Sequence, residues 1–131
     1  MGIENVLAAR YASSAMTELF SSESKIVFER ELWVAILIAQ KQLGIEISEK
    51  VIEDYKAVVH EVNLSSINER EKVTRHDVKA RIEEFCSLAG HEQIHQGMTS
   101  RDLTATVEQR QIRKGLEVIV ARVVAALARL G

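Results

Sequence analysis

Residues 95–102, with the sequence HQGMTSRD, are the stretch on which the interpretation of this chain depends. Gly97 permits a backbone conformation that other residues resist. Thr99 and Asp102 match a capping box, in which the first side chain caps a helix and the acid lies near its positive end. An uninterrupted helical pattern follows over residues 103–130. We therefore predict a turn that opens the longest helix, whose entrance is either an ordinary cap or a site for an anion.

The composition is that of one globular domain. The chain has 131 residues, of which 47% are apolar and 27% charged, and its formal net charge is −2. This charge gives no indication of a nucleic-acid or membrane partner. The single cysteine, Cys86, excludes an internal disulfide and fits a reducing compartment. We expect a cytoplasmic protein, since there is no signal-type segment and the longest apolar runs, residues 32–39 and 123–128, are too short to span a bilayer.

The pattern of apolar residues predicts an all-α fold. There is no proline, and strand-like alternation is brief. The predicted helices begin at caps within residues 21–24 and at Ser48, Ser66, Thr74 and Thr99, and they end near residues 43, 60, 73, 89 and 130. Residues 1–20 are expected to form an irregular arm. Residues 32–39 are apolar on every side of their helix, which predicts the centre of the core.

The last helix carries more apolar surface than one neighbour can cover. Leu116, Ile119, Val123, Ala126 and Leu130 follow the spacing of a helical bundle, and further apolar residues widen that face. Many of them are β-branched and form isolated helices poorly. We expect that other copies of the chain, or the rest of a longer protein, cover this surface.

One motif suggests a zinc protease. Residues 91–95 read HEQIH and match H-E-x-x-H, in which two histidines one helical turn apart hold the metal. Gly90 and Gly97 bracket the motif and leave less than two helical turns, and no histidine follows His95 to serve as a third ligand. We therefore predict no metal site.

Arg75, His76 and Asp77 form a second group of reactive residues. At a predicted helix entrance all three can line the opening. Arginine offers a fork for phosphate or carboxylate, and histidine can donate to an anion or move a proton. The aspartate can hold a hydroxyl group or orient the imidazole. An ordinary cap with an exposed histidine is the alternative for this triplet taken by itself.

Two further pairs could complete a site. Thr99 and Ser100 place two hydroxyls at the last helix entrance, and Arg10 and Tyr11 place a cation and a phenol on the N-terminal arm. The combined set suits a small molecule that carries phosphate and carboxylate groups. No glycine-rich phosphate loop of either standard type is present, which argues against a nucleoside triphosphate.

Several motifs resemble, in the same order, those that open the adenylosuccinate lyase family of the fumarase and aspartase superfamily. They are RYAS at 10–13, Met16, FS at 20–21, Lys25, LW at 32–33, QKQLG at 40–44, RHDV at 75–78 and IHQGMTSRD at 94–102. The last two are the specific ones, because related lyases share the T-S turn but not R-H-D-V. The resemblance implies an enzyme that eliminates fumarate from adenylosuccinate and from the succinyl-carboxamide precursor of purine synthesis, without a metal or organic cofactor.

The resemblance also implies an architecture. It predicts an L-aspartase-like fold, with an N-terminal helical domain at residues 1–102 and the first long helix of a central bundle at residues 103–131. In the complete enzyme that bundle would be a homotetramer. The general acid and general base of the family have no counterpart here, and we expect them beyond Gly131. The chain would then be an N-terminal portion that lacks activity by itself.

Site residues carry over by position, as the resemblance implies. His76 would contact the substrate near the reacting succinyl group. The residues implied to bind the purine nucleotide substrate are Arg10, Tyr11, Arg75, His76, Asp77, His95, Thr99 and Ser100. Two alternatives stay open: a non-catalytic helical module that self-associates through its last helix, and another fumarate-releasing lyase of the same superfamily.

Overall fold

Seven α-helices make up the part of the chain that the computed structural model describes, residues 5–131, and no strand occurs in that part. They are α1 (Val6–Tyr11), α2 (Ser14–Leu19), α3 (Ser22–Gln42), α4 (Glu49–Ala57), α5 (Leu64–Thr74), α6 (Asp77–Ala89) and α7 (Ser100–Leu130). The predicted all-α class is confirmed.

The capping residues explain where most helices begin. Ser21 caps α3 and Ser48 caps α4, as predicted, because each hydroxyl accepts a backbone N–H three residues ahead. Gly44, with φ of 94°, follows α3, and Gly90, with φ of 76°, ends α6. These positions favour glycine because their backbone is left-handed.

Two predicted caps were wrong. Helix α5 begins before Ser66, because the Asn63 side chain already accepts the Ser66 N–H at 2.9 Å. Thr74 ends α5 and does not open α6, since Arg75 adopts the left-handed conformation, with φ of 51°. His76 is the cap of α6. Both errors arise because a capping-box pattern also occurs inside or at the end of a helix, where a neighbouring residue is the cap: Asn63 upstream of Ser66, and His76 downstream of Thr74.

The prediction of an irregular arm over residues 1–20 was also wrong where the structure describes it, and residues 1–4 lie outside the described part. Asn5 caps α1 and Ser13 caps α2. Helix α2 packs on α3 and α7, and Gln111 donates from Nε2 to the Leu19 carbonyl at 3.0 Å. Gly115 lies beside the Phe20 ring, where a β-carbon would make ordinary van der Waals contact at 3.4 Å.

The apolar core lies between α3, α4, α6 and the start of α7. Its largest fully buried apolar side chains are Trp33, Leu37, Ile52, Tyr55, Phe85 and Leu103. Residues 32–39 contribute to this core, but Ala35 and Ala39 on the other side of α3 are exposed. These residues therefore lie at the centre of the core, as predicted, but through one face of α3 in the described chain, while the other face is exposed.

Charged side chains are buried beside the apolar core. Arg30 and Glu84 form an ion pair with both residues almost fully buried. Arg30 also donates to the carbonyls of Val58 at 2.9 Å and Val59 at 3.1 Å. Arg30 thereby ties α3 to α6 and to the end of α4.

Helix α7 has two halves with different surroundings. Leu103, Val107, Gln111 and Gly115 are buried, so the first half belongs to the packed unit. Beyond Gly115 every residue except Val118 is exposed. Among the described residues, no helix is both long and apolar enough to cross a membrane.

Candidate functional site

The candidate site lies where the entrances of α6 and α7 meet. His76 caps α6, and Ser100 is the first residue of α7. The His76 Nε2 and the Ser100 Oγ are 3.4 Å apart, although 24 residues separate them in the chain. Two helix N-termini, each with free N–H groups, therefore face the same region.

Local hydrogen bonds fix the imidazole of His76. Its Nδ1 accepts the Lys79 N–H at 3.2 Å as the helix cap, so in the neutral ring the proton lies on Nε2. The Thr74 hydroxyl accepts the His76 N–H at 3.3 Å and donates to the His76 carbonyl at 3.1 Å. Half of the side chain is exposed, and Nε2–H is directed towards Ser100. His76 thus presents a donor at the helix mouth.

The two residues next to His76 differ in their side-chain contacts: Asp77 forms an ion pair, and Arg75 has none in the described part of the chain. Asp77 binds the Arg81 guanidinium, four residues along α6, at 3.1 Å. Burial acts to raise the pKa of Asp77, but the Val78 N–H, Arg81 and His76 outweigh it and hold that pKa below its usual range. Arg75 is exposed and makes no side-chain hydrogen bond or ion pair within residues 5–131. Its guanidinium is the cation that a ligand could recruit.

Arg81 connects this entrance to the interior. Besides Asp77, it binds the buried carboxylate of Glu29 through Nε at 2.6 Å. Burial raises the pKa of Glu29, and the charge of Arg81 opposes this effect. The position of Asp77 is therefore linked through one guanidinium to a carboxylate of α3.

The turn that leads into α7 has the predicted form. Gly97 has φ of 76°, and the Thr99 N–H donates to the Asp102 carboxylate at 2.8 Å. The Thr99 hydroxyl belongs to the capping box of α7. Ser100, next to it, is the hydroxyl that faces His76.

His95, at the start of this turn, is held by a contact that the sequence did not reveal. The Trp33 Nε1 donates to the His95 Nδ1 at 3.1 Å. Burial lowers the pKa of His95, the charge of Asp102 raises it, and protonated His76 lowers it further. The sequence shows only that Trp33 lies in an apolar run of a predicted helix. That pattern indicates a core residue, but it does not identify His95 as its hydrogen-bond partner.

Arg10 and Tyr11 are not joined to this region in the described chain. Both lie on α1, which buries no residue, and Tyr11 is 76% exposed. Neither side chain makes a hydrogen bond or ion pair within residues 5–131. The chain therefore brings together His76, Ser100 and the turn with His95, and leaves the N-terminal pair apart.

The H-E-x-x-H motif lacks the geometry of a zinc protease. Residues 91–95 do not form a helix, and the two imidazoles have separate partners. His91 Nε2 is 2.7 Å from the Asp54 carboxylate, which lowers the pKa of Asp54, and His95 faces Trp33. No group of three metal-ligating side chains occurs among the described residues.

Cys86 is buried. Its Sγ is 3.3 Å from the Tyr55 hydroxyl, which donates to the His91 carbonyl at 2.6 Å. Burial raises the pKa of the Cys86 thiol, so the thiolate is disfavoured. This environment is that of a packing residue and not of a nucleophile.

The arrangement suits an anionic ligand. It offers an imidazole donor, a hydroxyl, a free guanidinium and the N-termini of a 13-residue and a 31-residue helix. These groups bind carboxylate or phosphate oxygens through charge-assisted hydrogen bonds.

The chain is similar to several curated proteins that share one name. It is 36% identical over 131 residues to the adenylosuccinate lyase of Schizosaccharomyces pombe, covering 95% of this chain and 27% of that protein. It is 31% identical over 129 residues to that of Schistosoma mansoni, covering 96% and 27%. It is 33% identical over 114 residues to that of Methanocaldococcus jannaschii, covering 84% and 25%. No protein-family model matches. The chain thus spans about a quarter of the length of these relatives.

Proposed function

Because this chain belongs by its sequence to the adenylosuccinate lyase family, we propose that it is a part of such a lyase that holds the substrate. The reaction would release fumarate from adenylosuccinate and from the succinyl-carboxamide precursor of purine synthesis. The observation that carries this proposal is the meeting of His76 and Ser100, 3.4 Å apart, at two helix entrances. In this proposal those two residues lie beside the succinyl group.

The roles of the individual residues follow from their chemistry. Thr99 and Ser100 would hold a substrate carboxylate at the N-terminus of α7, where the helix field favours an anion. His76 would donate a hydrogen bond from its Nε2–H to the succinyl group as negative charge develops on the carboxylate side. Arg75 would pair with phosphate or carboxylate through its fork. Arg10 and Tyr11 would bind the nucleotide end if α1 reaches the site in the assembled enzyme.

The proton-transfer groups of the family, its general acid and its general base, have no counterpart among these residues. Elimination requires a base for the proton next to the carboxylate and an acid for the leaving nitrogen. In our proposal the 131 residues supply binding and orientation, and those two groups come from other parts of the enzyme. Self-association into the homotetramer, like the cytoplasmic location, belongs to this proposal as well.

We predict that the purified chain binds adenylosuccinate but does not turn it over. The measurement is isothermal titration for binding and fumarate release for turnover, on protein from a host strain that lacks its own adenylosuccinate lyase. Fumarate release above background would contradict the assignment of proton transfer to other parts. Titration with argininosuccinate and aspartate separates this lyase from others of the superfamily.

We predict that His76→Asn lowers turnover by about 10²–10³-fold, measured in the assembled enzyme that releases fumarate, because a hydrogen-bond donor to the developing negative charge is lost. Asparagine is a strong N-cap, so its amide oxygen can replace Nδ1 at the Lys79 N–H and leave α6 intact. The imidazole Nε2 is then the only function removed. His76→Gln should lose both the cap and the activity.

Lys72→Gln, on the exposed surface of α5, is the matched control for these variants. Thermal unfolding of the chain should show His76→Asn close to the wild type. Turnover by His76→Asn near the wild-type rate, with the fold intact, would remove His76 from the reaction.

A further inference from the structure

Trp33 connects the core to the turn of the candidate site. Its indole is 1% exposed and stacks against Phe85, with ring centroids 6.1 Å apart. On its other side the indole meets His95 edge-on, with centroids 6.0 Å apart and the ring planes at 83°. The Trp33 Nε1 is 3.1 Å from the His95 Nδ1. This hydrogen bond is the only one that the Trp33 side chain makes within residues 5–131.

The chemistry of the two rings determines where the proton of His95 lies. An indole N–H can only donate, so the His95 Nδ1 must accept through its lone pair. The remaining proton of the neutral imidazole is then on Nε2. A flipped imidazole would place a carbon against the buried indole N–H and leave that donor unpaired, which folded proteins avoid. Trp33 therefore sets both the orientation and the tautomer of His95.

Two further features fix the position of the turn, residues 95–99, against α3. His95 has φ of 65°, which few residues other than glycine adopt, so its backbone position is imposed by its surroundings. The Gln40 side chain, two helical turns beyond Trp33, donates to the Gln96 carbonyl at 3.3 Å. Trp33 and Gln40, both on α3, are thus hydrogen-bonded to adjacent residues of the turn, His95 and Gln96.

The other nitrogen of His95 is available. No hydrogen bond from Nε2 occurs within residues 5–131. Burial lowers the pKa of His95, protonated His76 acts in the same direction, and only Asp102 opposes them. These effects favour the neutral ring, which offers an N–H at Nε2 because Nδ1 accepts from Trp33.

We propose that Trp33 is a positioning residue, whose indole N–H keeps His95 as the Nε2–H tautomer so that His95 binds an anionic substrate oxygen as a neutral donor. The tautomer stands on the geometry alone, whereas the contact with substrate rests on the proposed function. His76 shows the same arrangement, with Nδ1 occupied by the Lys79 N–H and Nε2–H towards Ser100. Both histidines of the site would then present donors to the same anion.

Long-range ¹H–¹⁵N correlation on the histidine-labelled chain tests the tautomer. We expect the His95 Nδ1 to resonate as an unprotonated nitrogen and Nε2 as a protonated one at neutral pH. In a chain with 3-benzothienylalanine at Trp33, which keeps the shape but lacks the N–H, the two signals should move towards the average of both tautomers. An Nδ1–H tautomer in the wild type, or no change in the substituted chain, would overturn the role of Trp33.

Two variants of His95 test the contact with substrate. In His95→Gln the amide oxygen can accept from Trp33 and the amide nitrogen can donate outward, so adenylosuccinate binding should stay within about threefold of the wild type. His95→Leu should weaken binding by about ten- to a hundredfold, as expected for a lost charge-assisted hydrogen bond. Equal losses in both variants would refute the donor role. If the wild type does not bind adenylosuccinate, the proposed function fails, while the nuclear magnetic resonance result still decides the role of Trp33.

Discussion

Replacing Glu84 with leucine is expected to lower the free energy of unfolding by about 3–5 kcal/mol, because the substitution leaves Arg30 charged, buried and without its partner. Arg30 is 0% exposed and Glu84 is 2% exposed. A domain of this size has a total stability of about 5–15 kcal/mol, so the loss is a large part of the whole. Chemical denaturation followed by circular dichroism measures it.

An exposed ion pair is the matched control for the buried one. Glu69 pairs with Lys72 at 2.6 Å on the surface of α5, and both side chains are about two-thirds exposed. Glu69→Leu should change the free energy of unfolding by less than about 1 kcal/mol, since water screens such pairs.

Removal of both buried partners should restore part of the stability. In the double variant with Arg30→Met and Glu84→Leu no charge is stranded, although the carbonyls of Val58 and Val59 lose their donor. A single Glu84→Leu variant as stable as the wild type would show that the pair does not hold α3 and α6 together. A double variant less stable than the sum of the two single losses would contradict the stranded charge as the cause.

The chain is expected to self-associate through the second half of α7, and glutamate at Ile119, Val123 and Leu127 should weaken this association by more than about a hundredfold. These side chains are 49%, 51% and 61% exposed and lie one helical turn apart. Burying each of these side chains stabilises a complex by about 1.5–3 kcal/mol, so association of this face with another apolar surface is favoured. Sedimentation velocity over a range of concentrations gives the association constant.

Glutamate at Ala121, Ala125 and Ala128 is the control, because it adds the same charge to the opposite face of α7. Alanine offers little apolar surface, so this variant should associate far more strongly than the first one. A wild type that stays monomeric with α7 ordered to Leu130 would contradict the prediction. Association without turnover would also be the behaviour of a non-catalytic helical module, and binding of adenylosuccinate distinguishes the two.

Local sequence patterns were sufficient to predict most of the helices and the turn before α7. The caps at Ser21, Ser48 and Thr99 were predicted because a cap depends on residues within one helical turn of each other. The left-handed Gly97 was predicted from its own lack of a side chain. The errors at Ser66 and Thr74 are also local, since Asn63 and His76 competed for the same helix ends.

Motif order in the sequence determined the family, whereas only the tertiary structure decided which side chains meet. The His76–Ser100, Arg30–Glu84 and Trp33–His95 contacts join residues 24, 54 and 62 positions apart. No helical or capping periodicity relates residues at such separations, because their distance depends on how α3, α6 and α7 pack. The tautomer of His95 follows from that packing, since an indole donor reaches Nδ1 only after the core has formed.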